Sequence, residues 1–276
     1  MQDLFEQKKT QILKDMESTS LESPDLSPKG TIDELCIPIM NLINSNKDMV
    51  TTSSCSGRVS VFLEGSKYNN VNDDDKVKNE GVKIGAKGNG GHWLFVTHNP
   101  FELKNWWKDK NFLINNNDQF LNINETTRYI LYKFEPFILH VKCRDLKMAQ
   151  KLYTIAMNCG FRESGIGVNN LVAIRTSIRL DIPIGFLQET TENLYLLVTE
   201  QYLELITNLS LDRFKENKKR LNSLYNSISK MLEKNDQEIE QEHLQETKEQ
   251  RRARKIKEGL ARKEQVRKLK ENIESI

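Results

Sequence analysis

The stretch from Arg128 to Gly160 constrains the fold more than any other part of this chain. Tyr129-Ile130-Leu131-Tyr132-Lys133-Phe134 and Phe137-Ile138-Leu139-His140-Val141 are two β-rich runs on either side of Glu135-Pro136. A helix follows at once. Asp145 is placed to cap it, Leu146, Ala149, Leu152 and Ala156 share one face, and Gly160 stops it. Further strands are expected at Leu171 to Ile174, Arg179 to Ile184 and Leu194 to Val198. Strands interspersed with a few helices, instead of alternating with them, predict an α+β domain on a mixed sheet.

Upstream, Leu4, Phe5, Ile12, Leu13 and Met16 recur at helical spacing, and the serine- and proline-containing residues 18–29 read as a loop. Asp33, after the Gly30 breaker, is placed to cap or open a helix through Leu35, Ile39, Leu42 and Ile43. That helix delivers the chain to Thr51-Thr52-Ser53-Ser54-Cys55-Ser56-Gly57-Arg58, which leads into the strand pattern Val59 to Leu63. The polar stretch Asn69 to Gly91 reads as a flexible loop, with five of the 13 glycines between Gly81 and Gly91. His92 to His98 is a compact strand, and Asn111 to Asn124 an exposed, mobile insert.

From Glu200 the pattern is helical, with Leu203, Ile206, Leu209, Phe214, Leu221, Leu224, Ile228 and Met231 roughly three to four apart. Beyond Lys234 apolar residues thin out among dense charge. Residues 1–232 are therefore expected to form a single α+β domain ending in a long helix, and 233–276 a charged helical or disordered tail. Residues 212–276 hold 18 Lys/Arg against 13 Asp/Glu, a net +5, leaving 23 against 26, or −3, for residues 1–211. No apolar run approaches the ~20 residues of a membrane span, and the N-terminus has no signal pattern. The four cysteines lack CxxC spacing, which suits a reducing compartment. A soluble, cytoplasmic, monomeric protein with no membrane or DNA partner is expected.

The small side chains of Ser53 to Gly57 bury little and leave backbone N–H groups reachable, while Arg58 adds a planar donor fork. The segment reads as an anion or carboxylate cradle, or as a plain serine-rich loop. Cys55 reads as a small residue in a tight turn more readily than as a nucleophile. Gly85 to Gly91 is not a dinucleotide loop, because it leads into a strand, and no P-loop motif is present. His92, His98 and His140 lie in or beside predicted strands, but none has zinc-hook spacing, and no metal is expected. Alternation puts His140, Lys142 and Arg144 on one strand face as a cationic stripe; Glu135 is too distant to pair with Arg144. In Gly160-Phe161-Arg162-Glu163-Ser164-Gly165 the glycines permit close backbone approach and Arg162 offers another anion clamp.

The ordered succession Lys29-Gly30-Thr31-Ile32-Asp33, SSCSGR, GHWLFVTH, FEPFILHVKCRD, GFRESG, an Ile-Arg run and LDIPIG resembles the tRNA wybutosine-synthesizing protein 3 family, from about Asp25 to Asn217. The resemblance implies an S-adenosylmethionine-dependent tRNA methyltransferase with a fold other than the Rossmann-type sheet. It implies methylation of N4 of 7-(3-amino-3-carboxypropyl)-4-demethylwyosine, the tricyclic base next to the anticodon of tRNA(Phe), with the anticodon loop as partner. On that reading His98 or His140 takes the proton. Ser53, Ser54, Cys55, Ser56, Gly57, Arg58, Glu135, Arg144, Arg162, Ser164 and Gly165 then bind cofactor or substrate, with Trp93 as a stacking platform. The alternative is a non-catalytic tRNA-binding or assembly module.

Overall fold

A computed structural model of the chain describes residues 3–17, 32–66, 90–114 and 123–244, with 252–253, 255–257 and 259; in the long C-terminal helix side chains are described through residue 234. The loop at 18–29 falls outside the described residues, as do most of the glycine-loaded loop and of the Asn-rich insert.

Glu135-Pro136 does not end a strand. Both β-rich runs belong to one 15-residue strand, β4 (Tyr129–Cys143). The Ser/Cys run is likewise not a loop: it lies inside β1 (Met49–Leu63), which pairs antiparallel with β4 along its whole length, from Met49 opposite Cys143 to Leu63 opposite Ile130. The small hydroxyl residues look like a loop because they carry no alternating apolar pattern. The ladder to β4 supplies what that pattern does not.

Eight strands are described. β2 (His92–Thr97), β1, β4, β7 (Leu180–Gln188), β8 (Asn193–Leu196) and β3 (Leu113–Ile114) lie in that order, with β6 (Leu171–Ile174) on β4 and β5 (Gly165–Ile166) on β6. Only the β3–β8 pairing is parallel among these, so the sheet is mixed.

The buried face and the second partner of β4 both change at Glu135-Pro136. Before it the buried side chains are even-numbered (Ile130, Tyr132, Phe134) and the strand's second partner is β7; after it they are odd-numbered (Phe137, Leu139, Val141, Cys143) and the second partner is β6. The even set joins Val59, Val61, Trp106, Leu203, Ile206 and Phe214 in one core. On the odd side Phe137 meets Phe161 edge-on at 5.6 Å between ring centroids.

Four helices are described: α1 (Leu4–Glu17), α2 (Ile37–Ser45), α3 (Leu146–Asn158) and α4 (Glu200–Leu244). α2 packs on β1, and α3 on β4 and β6. As the sequence predicts, the Asp145 carboxylate accepts from Met148 N–H at 2.8 Å and Gly160, at φ +89°, ends α3 in a left-handed turn. Met1–Ile228 form one compact unit and Ser229–Ile276 a second. In the second, the backbone is helical through Leu244 and again at 252–253, 255–257 and 259, where the side chains are exposed. No helix is long and apolar enough to cross a membrane among the described residues.

Candidate active site

The site forms where the β1–β4 ladder opens. Pro136 has no N–H to give, and Gly57 opposite it takes φ +102°, a conformation that side chains resist. A Cβ on Gly57 would also lie 3.1 Å from Asn217 Nδ2 and 3.2 Å from the Phe137 nitrogen. Asn217 of α4 fills the opening. Its carbonyl accepts from Phe137 N–H at 2.8 Å and its amide donates to Ser56 C=O at 2.8 Å, so one buried side chain satisfies a backbone group on each strand.

Three polar groups flank this seam. In the first, Asp33 precedes a 3-10 turn (Glu34–Cys36) that runs into α2. It caps nothing with its side chain. The buried carboxylate reaches across to accept from Ser56 N–H at 2.8 Å, and His98 Nε2 stands 3.6 Å from the same oxygen. His98 Nε2 is also 3.7 Å from Cys55 Sγ. Burial pushes the Cys55 thiol up to about 11, partly offset by the Gly57 backbone, so the group is a neutral thiol and poorly suited to nucleophilic attack.

In the second group, Arg58 Nε donates to Glu135 at 2.6 Å, and its guanidinium stands 5.2 Å from the centroid of the Trp93 ring. Trp93 also packs edge-on to Phe62 at 4.8 Å.

The third group holds His140. Nδ1 lies 2.7 Å from Ser53 Oγ and Nε2 3.1 Å from Arg175 Nη2. A guanidinium can only donate, so Nε2 is the acceptor and Nδ1–H donates to Ser53. Burial, then the charge of Arg175, holds His140 below the usual imidazole range. Ser164 Oγ joins the group by accepting Arg175 N–H at 3.1 Å while donating to Phe161 C=O at 2.7 Å.

A cavity of about 1600 Å³ opens beside the first group. Its wall includes Asp33, Ser56, Trp93, His98, Phe214 and Asn217. Phe101, also on the wall, is 90% exposed, whereas Trp107 is buried and its indole N–H has no partner among the described residues. Lys104, Lys215 and Lys218 add positive charge.

Of the residues singled out in the sequence, Ser53, Cys55, Ser56, Gly57, Arg58, Trp93, His98, Glu135, His140 and Ser164 fall in these groups. Ser54 contacts Met40 Sδ at 3.2 Å instead. Gly165 lies in β5 with nothing within 4 Å of a Cβ position, and Arg162 is exposed. Arg144 does not extend a cationic stripe with His140 and Lys142. It pairs with Asp3 and Glu6 of the N-terminal segment and with Asp48 at 2.7 Å, its guanidinium 4.7 Å from the centroid of the Phe5 ring. Lys142 donates to Asn169 C=O.

Sequence reasoning missed Asn217, Phe101 and Arg175, and of the two roles it gave Asp33, capping or opening a helix, the residue opens the turn while its side chain goes to Ser56. Asp33 and Arg175 sit in the Lys-Gly-Thr-Ile-Asp and Ile-Arg segments, so a signal existed for both; Asn217 and Phe101 carried none.

The profile of the family described as Methyltransferase TYW3 matches residues 7–230. Over 276 positions the chain is 50% identical to tRNA wybutosine-synthesizing protein 3 of Saccharomyces cerevisiae, covering 96% of this chain and 97% of that protein. It is 38% identical over 234 positions to the protein of the same name from Schizosaccharomyces pombe, covering 83% and 89%. Among solved structures, the PH1069 protein from Pyrococcus horikoshii superposes with a TM-score of 0.55 at 28% identity, covering 81% of this chain and 95% of that one.

Proposed function

The chain belongs to the Methyltransferase TYW3 family, and from that membership we infer that it transfers a methyl group to tRNA in wybutosine synthesis. The observation that carries a location for the chemistry is the convergence of Asp33, Ser53, Cys55 to Arg58, Trp93, His98, Glu135 and His140 on the Gly57–Pro136 seam beside a cavity. S-adenosylmethionine is the donor in this reading, and N4 of the tricyclic base next to the anticodon the acceptor. At about 1600 Å³ the cavity exceeds the roughly 300–1,000 Å³ of a single small-molecule site, which suits a cofactor and a splayed base together. Phe101 and Trp93 offer aromatic faces.

Transfer needs the sulfonium methyl carbon in line with the attacking nitrogen, so positioning supplies most of the rate. The acceptor N–H must also lose its proton. His140 is poorly placed to take it while Arg175 occupies Nε2. Asp33 and His98 stand on the cavity wall, and in this reading the proton leaves there.

Titration of S-adenosylmethionine into the full chain, with and without tRNA, tests the cofactor: one site per chain is expected, and no binding in either condition overturns the assignment. His98→Ala is expected to lower single-turnover methylation by about 10²-fold or more with cofactor binding retained. An unchanged rate removes the Asp33–Cys55–His98 group from the reaction.

A further inference from the structure

Asp33, Cys55 and His98 arrive from three separate places: the turn before α2, the middle of β1 and the residue after β2. Their ligand atoms all lie within 4.8 Å of one another. We propose that these three side chains bind a zinc-class divalent cation through one carboxylate, one imidazole and one thiolate, the Cys55 thiol releasing its proton to water as the metal binds, with the fourth coordination position open to the cavity.

The two spacings around His98 Nε2 are those of metal ligands. Zinc bonds of about 2.3 Å to sulfur, 2.0–2.1 Å to nitrogen and 2.0–2.2 Å to oxygen put tetrahedral ligand atoms about 3.4–3.6 Å apart. Nε2 stands 3.6 Å from Asp33 Oδ2 and 3.7 Å from Cys55 Sγ. The first distance is beyond hydrogen-bond reach. A single ring nitrogen therefore faces an oxygen and a sulfur at the edge lengths of a coordination tetrahedron.

The Asp33 carboxylate is 8% exposed, held out of bulk water as a metal ligand would be. Ser56 N–H fixes the carboxylate at 2.8 Å, the kind of outer contact that orients a metal ligand. A thiolate and an imidazole select zinc over magnesium or calcium.

Three protein ligands with one open position is the arrangement of reactive zinc sites, not of closed structural ones. His98 and Asp33 line the cavity, so the fourth ligand is water or an N or O donor atom of the methyl acceptor. Coordination acidifies the acceptor. Its N–H bond breaks with the proton passing to water, and the electron pair left on nitrogen attacks the sulfonium methyl carbon as the C–S bond breaks to a thioether. The chemical role rests on the reading proposed above; the binding of the metal does not.

The test uses the full chain. Zinc is counted by mass spectrometry after purification without chelator, and chelator-treated protein is titrated with cobalt(II). About one equivalent of metal and a thiolate-to-cobalt charge-transfer band are expected. Cys55→Ser should lose the band, and His98→Gln should weaken binding roughly tenfold or more, while Cys159→Ser keeps wild-type binding. Zinc should also raise the melting temperature of the wild type, a readout that needs no variant to fold. Absence of bound zinc, band and melting shift in the wild type overturns the proposal, as does binding that both variants retain. Cofactor titration on the same samples separates the two readings: cofactor bound without metal removes the metal alone, and metal bound without cofactor removes the cofactor assignment alone.

Discussion

Gly57 and Asn217 are a matched pair, and each predicts a measurable cost. Gly57→Ala places a Cβ at φ +102° against Asn217 and the Phe137 nitrogen, and is expected to destabilise the fold by about 1–3 kcal/mol in urea melts. Asn217→Leu keeps the bulk but leaves Phe137 N–H and Ser56 C=O buried and unpaired, an expected loss of about 2–5 kcal/mol. His140 gives a pH signature. Its folded-state value lies below the ordinary 6.5, so the unfolded chain binds the proton more readily. The contribution of His140 is therefore full above about 6.5 and fades as pH falls below it. Comparing melting temperatures at pH 7.5 and 5.5, His140→Gln should lose less on acidification than the wild type does.

At the scale of elements, Arg144 is one of the side chains that fasten α1, beside Lys9, which donates to Asn46 C=O. Arg144 pairs with Asp3 and Glu6, and its face covers Phe5. Arg144→Ala is expected to release the helix, raising hydrogen exchange across 4–17 by the equivalent of about 1–2 kcal/mol, with the difference shrinking in high salt. The elements themselves were largely legible in sequence. α1, α3, β6 and β8 fall within a few residues of where periodicity, the Asp145 cap and the Gly160 stop put them. The junctions were not. Pro136 reads as a strand break because it has no N–H, yet here Gly57 across the ladder accommodates it. Residues 51–58 read as a loop because a small-residue strand shows no alternation, and only pairing with a strand some 80 residues away makes them β. The same limit hid the site. Asp33 has the sequence position of a cap, and Asn217 looks like any polar residue on an amphipathic helix until both meet Ser56 from opposite directions.

For the whole molecule, charge distribution sets the expected behaviour toward tRNA. Lys215 and Lys218 stand on the cavity wall, and residues 250–276 hold 10 Lys/Arg against 4 Asp/Glu. The double substitution Lys215→Glu, Lys218→Glu is expected to raise the tRNA dissociation constant and flatten its logarithmic salt dependence by roughly two. Removing 250–276 tests the tail in the same titration; a weaker, flatter salt response is expected, and unchanged binding assigns the basic segment elsewhere. The reversal of buried parity along β4 bears on how accurately the molecule assembles. A strand that buries one face can settle one residue out of step by exposing that face alone. β4 cannot, since a slip would turn Phe134 and Tyr132 out of one core and Phe137 and Leu139 out of the other. The ribbon works like a lock with two tumblers, and one alignment satisfies both. That alignment is the one that sets Ser53 opposite His140 and Arg58 opposite Glu135. The register that brings the candidate site's residues together is thus inherited from hydrophobic residues outside it.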